Sequence, residues 1–467
     1  MKKDYLNCIF RSTWRLVAVA LVAVAGACSE DVPEPTPDGP ETPEVPEVPE
    51  VPEAPEEPAP VQGGRSRNIE LTAQQQGFVD ATIDMSFKMF EALNLQEREV
   101  EALESALDRP VDNIVFSPLG ASYAAMALAN GAAGDSQSQI LTALGFEGHS
   151  IEEINEYYRF LSGELSSLDP NSKFKIANSI WFTTMYIDCV KAAYVKTMQD
   201  YYAAPTTVLP NFRFDDGGLV INDWGRQATE GFLDRFFILD AYNMALTNIL
   251  YFRGGWVWPF DEKETKDAVF HNEDGTESTV KMMMLEKRTL RKVSSENYLA
   301  LRLPYGNEAF CMTLILPRVE IDKCIEALRD DVKPLTLLAK DNTQPDDHRV
   351  FLPRFDITYQ SIRIAGVMSY MGAKDAFDPD KADLSGMFDL ERAKIVDKGN
   401  NPHGANLIQT CRIAVDERQT EAASGAYVLG HSGVVDEENI VFDRPFLFLI
   451  SERSTGIPLF MGRVTKL

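Results

Sequence analysis

Histidine is scarce: the 467 residues contain five, His149, His271, His348, His403 and His431. None belongs to a His-Glu-x-x-His pair, so the common zinc-protease arrangement is excluded. No Gly-x-Ser-x-Gly elbow is present, nor a phosphate-binding glycine loop, nor a dinucleotide fingerprint. Positive charge is also short, with 45 Lys and Arg against 71 Asp and Glu, a formal net charge of -26. Phosphate neutralisation needs clustered cations, so nucleic acid is a poor partner. Six cysteines show no Cys-x-x-Cys and no histidine at metal-ligand spacing, so neither a metal nor a cofactor is expected. Cys189, Cys311, Cys324 and Cys411 are scattered and read as unpaired. Cys311 sits in the run Phe310–Leu316 as a small core residue.

No apolar run reaches the length of a membrane span. The longest, Leu16 to Ala27, covers about a dozen residues and follows Lys2, Lys3, Arg11 and Arg15. It ends Ala25-Gly26-Ala27-Cys28. This resembles a bacterial lipoprotein signal, which implies removal of residues 1–27 and lipidation of Cys28. Attachment to the envelope of a Gram-negative bacterium, extracellular or on the outer membrane, follows from that resemblance, with the lipid as its only membrane contact; the chain is expected to be a monomer.

From Val32 to Val61 proline recurs every two or three residues, interleaved with Glu. Such a tract admits neither helix nor sheet and stays extended. At about 3.1 Å per residue its contour is on the order of 90 Å, the length of a stalk. Residues 28–67 are therefore read as lipidated cysteine and stalk, and residues 68–467 as one globular domain of α+β type. Helical periodicity marks Ala73–Leu93, Leu119–Leu144 and Ile221–Phe232. Strand-like runs lie at Phe174–Phe182, Ala245–Phe252, Glu308–Leu316, Val350–Ile357, Arg412–Val415 and Phe446–Ser451.

Several segments carry a further signal. They are Asn113-Ile114-Val115-Phe116-Ser117-Pro118-Leu119, Lys175-Ile176-Ala177-Asn178-Ser179-Ile180-Trp181, Asn222-Asp223-Trp224 and Thr247-Asn248-Ile249-Leu250-Tyr251-Phe252-Arg253-Gly254-Gly255-Trp256. Leu352-Pro353-Arg354-Phe355, Ala382-Asp383-Leu384-Ser385-Gly386, Asp416-Glu417-Arg418-Gln419-Thr420-Glu421-Ala422-Ala423, Arg444-Pro445-Phe446 and Phe460-Met461-Gly462-Arg463-Val464 follow in order. Together they resemble the serpin family from Asn113 to Val464. The resemblance implies about eight to nine helices around three β-sheets, with an exposed reactive-centre loop. It also implies no enzyme activity but suicide inhibition of a serine protease. The protease cleaves the loop and is acylated, and the loop inserts into the central sheet.

The loop's residues suit that role. From His403 to Arg444 there is no proline, so the chain can become an inner strand. At a side-chain period of two, Thr420, Ala422, Ser424, Ala426 and Val428 share one face, while Glu421, Ala423, Gly425 and Tyr427 share the other. The family spacing places the bait bond after Gly433 or after Val434. Both fit an elastase-like protease with a small apolar pocket. A papain-like cysteine protease is a second candidate target. No Lys or Arg lies between Arg418 and Arg444, which disfavours a trypsin-like target. Glu417 and Trp256 match positions where the loop joins the sheet, with a cation expected beside Glu417. Ser117, Asn248 and Gln409 match a polar group beneath the sheet opening, with Gln409 where the family usually has His. Gln419 stands where inhibitory members usually have Gly. That substitution keeps open an alternative reading, a non-inhibitory binding protein of the same fold.

Overall fold

The computed structural model describes residues 64–104, 113–213, 216–233, 235–236, 243–361, 364–404, 409–418 and 439–467. In chain order the described elements are α1 (Ala73–Glu104), β1 (Ile114–Phe116), α2 (Pro118–Gly131), α3 (Gly134–Ala143), α4 (Ile151–Leu165), β2 (Lys173–Thr183), α5 (Ala192–Tyr202), β3 (Thr206–Leu209), α6 (Gly217–Ala228) and β4 (Met244–Arg253). Next come β5 (Lys266–His271), β6 (Glu277–Ser294), β7 (Tyr298–Tyr305), β8 (Phe310–Pro317), α7 (Ile321–Asp330), α8 (Lys333–Ala339), β9 (Pro345–Pro353), β10 (Phe355–Ser361), α9 (Ile364–Tyr370) and α10 (Leu390–Val396). The chain closes with β11 (Gln409–Val415), β12 (Asn439–Val441), β13 (Phe446–Glu452) and β14 (Pro458–Val464). The fold is α+β with three sheets, and three of the helices are only about two turns long.

Local chemistry sets these boundaries. Ser117 caps α2 by accepting from Gly120 N, and Pro118 follows at the first helical position, where its missing N–H costs nothing. The single helix expected from Leu119 to Leu144 is broken at Ala132 and Ala133, both extended, so α2 and α3 are separate. A capping box between Ser150 and Glu153 opens α4. The expected helix Ile221–Phe232 instead begins at Gly217 and stops at Ala228. The run Val350–Ile357 divides at Arg354. Its amide donates to Lys281 O at 2.7 Å, after which the chain leaves β6 and pairs with β11.

The largest sheet has the order β1-β14-β13-β8-β7-β6-β9-β12, with β5 also paired to β6. Every residue of β7, β8, β13 and β14 is buried, as expected of strands covered on both faces. Phe448 packs so closely over Gly462 that a Cβ there would meet its ring at 2.1 Å. Arg463 is nevertheless fully buried, and its guanidinium donates to Asn94 Oδ1 at 2.6 Å and Glu101 Oε1 at 2.8 Å. Among the described residues all four cysteines are free and buried. None of the described helices is long and apolar enough to cross a membrane.

Two smaller sheets carry the functional argument. One has the order β3-β2-β4, with Ile180 opposite Thr206 in parallel and Asn178 opposite Asn248 in antiparallel register. The other is the antiparallel pair β10-β11, with Phe355 opposite Val415 and Ser361 opposite Gln409.

Candidate functional site

The sheets end on β4 and β11, and no ladder joins these two strands among the described residues. A narrow gap lies between them, lined by Leu250, Tyr251 and Phe252 of β4 and by Thr410, Cys411, Arg412 and Ile413 of β11. Their relative direction follows from side-chain contacts. Asn248, midway along β4, meets the same point as Gln409, the first residue of β11. Trp256, just past β4, holds residues just past β11. The two strands therefore run the same way. A chain leaving β11 and folding back between them would be antiparallel to both, the arrangement with the better-aligned hydrogen bonds.

At the entry end stands a polar knot. Gln409 Oε1 accepts from Ser117 N at 2.8 Å, and its Nε2 donates to Ser117 O at 2.9 Å. Ser117 Oγ donates to Leu459 O at 2.7 Å and accepts from Gly120 N at 3.0 Å. Asn248 Nδ2 donates to Asn178 Oδ1 at 2.8 Å. A Cβ on Gly120 would sit 2.7 Å from Asn248 Oδ1, 3.0 Å from Ser117 Oγ and 3.2 Å from Gln409 Nε2, so glycine lets the group converge. Gln409 satisfies both backbone groups of one residue, which its amide can do as donor and acceptor together. Cys411 Sγ lies 3.4 Å from Gln409 Oε1, and burial pushes its thiol up to about 12.

At the exit end the chain at 416–418 is clamped. Trp256 Nε1 donates to Asp416 O at 2.8 Å and its amide to Arg418 O at 3.1 Å. The indole stacks on buried Tyr305, with 4.4 Å between centroids and 19° between planes. Glu417 is buried; Arg354 Nη2 lies 2.6 Å from both carboxylate oxygens and Thr265 Oγ1 donates at 2.6 Å. Phe260 N donates to Glu417 O at 2.8 Å, and Arg418 Nε to Glu262 Oε1 at 2.6 Å. The cation expected beside Glu417 is Arg354, a residue of the Leu-Pro-Arg-Phe segment with no role assigned from sequence.

A third feature had no signal in the sequence. The chain after α6 passes over the gap. Arg412 Nη1 donates to Phe232 O at 3.0 Å, and its guanidinium lies 4.6 Å from the centre of the Phe232 ring. Thr410 Oγ1 and Gln360 Nε2 donate to Phe236 O at 3.3 and 3.1 Å. Phe232 also packs against Tyr251 of β4, with ring centres 6.0 Å apart. The crossing segment thus touches both sides of the gap.

The structure brings Ser117, Asn248 and Gln409 together and places Trp256 beside Glu417. Gln419, Thr420, Glu421, Ala422, Ala423, Ser424, Gly425, Ala426, Gly433, Val434 and Cys28 lie outside the described residues. No group of three or more His, Cys, Asp or Glu among the described residues is arranged to hold a metal.

Comparison with known proteins accords with this geometry. The family model described as Serpin (serine protease inhibitor) matches residues 86–467. Leukocyte elastase inhibitor A of Mus musculus is 29% identical over 371 residues, covering 76% of this chain and 93% of its own. Leukocyte elastase inhibitor of Homo sapiens is 27% identical over 379 residues, covering 77% and 94%. Among solved structures, the thermophilic serpin tengpin in its native state superposes with a TM-score of 0.69 at 24% identity, over 86% of this chain and 100% of its own. Human thyroxine-binding globulin gives 0.68 at 22% identity, over 84% and 99%. The chain is thus no enzyme; it belongs to the serpin family of serine protease inhibitors.

Proposed function

We propose that this chain is an irreversible suicide inhibitor of elastase-like serine proteases. The bait bond follows Gly433 or Val434, and cleavage there acylates the protease. The loop then folds back from 416–418 and enters between β4 and β11 as a strand antiparallel to both. The observation that carries this reading is the pair of sheet ends facing each other across one gap, with the loop attached at the exit end of β11. The small residues Ala422, Ser424 and Ala426 suit burial in that slot. The relatives named as leukocyte elastase inhibitors support the choice of target class, as does the absence of Lys and Arg from 419 to 443. The rest of the reading comes from the N-terminal sequence. Residues 1–27 are a signal peptide, Cys28 carries lipid, and residues 28–67 form a stalk on the bacterial envelope that holds a monomeric domain.

The mature chain mixed with an elastase-type protease tests this on a denaturing gel. The expected product is a covalent band at the summed mass, together with a released C-terminal peptide beginning at Val434 or Val435. Complete loop cleavage with a fully active protease and no covalent band would sink inhibition of that enzyme. Under that outcome the thermal midpoint of the cleaved chain separates the remainder. A large rise means that the loop inserts too slowly to trap, and an unchanged midpoint favours a binding protein of the same fold.

A further inference from the structure

We propose that Gly64–Ile69 is a release site for an arginine-specific endopeptidase, separate from the bait loop, at which one cut frees the folded domain from the chain before it. The cut itself stands on the residues of this segment; its consequence, loss of a membrane tether, rests on the lipoprotein reading above.

Sequence gives the selectivity. From Leu16 to Gly64 there is no Lys or Arg, and then Arg65 and Arg67 stand two residues apart. An enzyme with an anionic primary pocket takes a guanidinium and finds nothing to cut along the stalk. The bait loop lacks Lys and Arg from 419 to 443 as well, so the same enzyme is offered no trap. Proteases of the two specificities therefore meet the molecule at different places and with different results.

Structure gives access. Residues 64–72 form neither helix nor strand, and α1 begins only at Ala73. The side chains of Arg65 and Arg67 are 46% and 50% exposed. Arg65 pairs with Asp341 and with Glu308 at 3.3 Å, and Arg67 with Glu164 at 2.5 Å and Ser167 Oγ at 3.1 Å. Partly exposed pairs of this kind hold weakly, and a segment ahead of the first helix opens before the body does. Few backbone bonds must be released: Ser66 N to Asn307 O at 2.9 Å, Arg453 Nη2 to Ser66 O at 2.8 Å and to Arg67 O at 3.5 Å, and Ile69 N to Ser454 Oγ at 2.9 Å.

The reaction is amide hydrolysis. One water is consumed, the C–N bond of Arg65–Ser66 or Arg67–Asn68 breaks, and an arginine carboxylate and a new α-ammonium form. A cut after Arg65 leaves the Ser66 and Ile69 contacts able to re-form, and a cut after Arg67 leaves that of Ile69. Everything from α1 onward, including both clamps of the loop, is untouched. The released domain remains a complete inhibitor.

The test uses the full-length lipidated chain in phosphatidylcholine vesicles, treated with limiting trypsin. Sedimentation reads release, mass spectrometry reads the new N-terminus, and a thermal melt reads the domain. The expected result is a soluble product beginning at Ser66 or Asn68 with an unchanged midpoint. R65Q/R67Q should slow release on the order of tenfold or more, since the anionic pocket has lost its cation, while leaving the melt unaltered. A first cut elsewhere in the domain, or equal release from R65Q/R67Q, overturns the proposal. Failure of the untreated chain to sediment with vesicles instead overturns the lipoprotein reading, and the N-terminus of the trypsin product still decides the site.

Discussion

Arg354 and Glu417 meet through a single guanidinium nitrogen 2.6 Å from both carboxylate oxygens, at the point where the chain leaves β11 for the loop. The Glu417 side chain is 2% exposed and that of Arg354 16%. The pair is therefore shielded from solvent, and removing one member strands a charge. Arg354→Ala should destabilise the fold by about 3–5 kcal/mol, read from urea midpoints. The double variant R354A/E417Q should recover part of that loss, because neither charge is then left alone. If R354A costs no more than a surface substitution, the pair does not clamp the hinge.

The knot at the other end makes a steric prediction. Gly120→Ala places a methyl 2.7 Å from Asn248 Oδ1, with Ser117 and Gln409 also close. The expected loss is about 1–3 kcal/mol from overpacking. Gln409→Ala opens space instead, but leaves the Ser117 amide without its acceptor, while the Ser117 carbonyl keeps the Ala121 amide at 2.9 Å; the expected cost is about 1–3 kcal/mol. Chemical denaturation of both variants checks the pair. Tolerance of both would mean that the four residues are neighbours without mutual dependence.

Thiol chemistry reports on the gap. Burial raises Cys411 to about 12 and Cys324 to about 12, and pushes Cys189 and Cys311 up as well. A thiol held protonated in the fold ionises earlier in the unfolded chain, so its contribution is intact at neutral pH. It is lost as pH rises above the ordinary thiol value, toward about 12 for Cys411. At pH 8 a thiol reagent should therefore label the native protein slowly and the denatured protein at Cys189, Cys311, Cys324 and Cys411. Additional labelling of Cys28 in the denatured mature chain would contradict its lipidation.

The crossing segment should govern access to the same thiol. Arg412 ties Phe232 to β11 through a hydrogen bond and a ring contact, while its Nη2 is held by Asp356 Oδ2 at 2.6 Å. Arg412→Ala loses the first two and should raise the labelling rate of Cys411 above that of Cys324, which lies in α7 away from the gap. The thermal midpoint should fall little, since the Asp356 pair is partly exposed. Equal acceleration of both thiols would indicate global loosening instead.

How much of this was legible in the sequence differs by range. The strands of the smaller sheets could be read because apolar, β-branched and aromatic residues predominate there, as in Phe174–Phe182 and Ala245–Phe252. The eighteen-residue β6 was missed. Its Glu286, Lys287 and Arg288 are exposed where its pairing to β9 slips, so the four-residue apolar run Met282–Leu285 stops there and no alternation carries the strand on. The polar knot joins residues 292 positions apart and the hinge pair residues 63 apart. Spacing alone cannot announce either; only the ordered family segments pointed to Ser117, Asn248, Gln409, Glu417 and Trp256. Arg412 and Phe232 belong to no such segment, and in sequence an arginine beside a short apolar run looks like any solvated charge.

The hairpin between β7 and β8 links the start of β2 to the Trp256 clamp, and one glycine makes that link possible. Gly306 has φ +50, in the region that favours glycine, and a Cβ there would lie 2.0 Å from Asp169 Oδ2. That carboxylate cannot simply retreat, because it accepts from Asn171 N at 2.9 Å, Ser172 Oγ at 2.6 Å and Asn307 N at 3.3 Å. Gly306 N in turn donates to Gly255 O at 2.8 Å, one residue before the indole that holds Asp416 and Arg418. Gly306→Ala therefore strains the turn and displaces the partner of Gly255 together, with an expected cost of about 1–3 kcal/mol. Tryptophan fluorescence should shift as the Trp256–Tyr305 stack loosens, and hydrogen exchange at the Trp256 amide should quicken. Gly275→Ala is the control, since that glycine also has positive φ, +82, but its Cβ would meet nothing within 4 Å. If both variants lose the same stability and neither changes exchange at Trp256, the hairpin is strained by its backbone alone and does not carry the clamp.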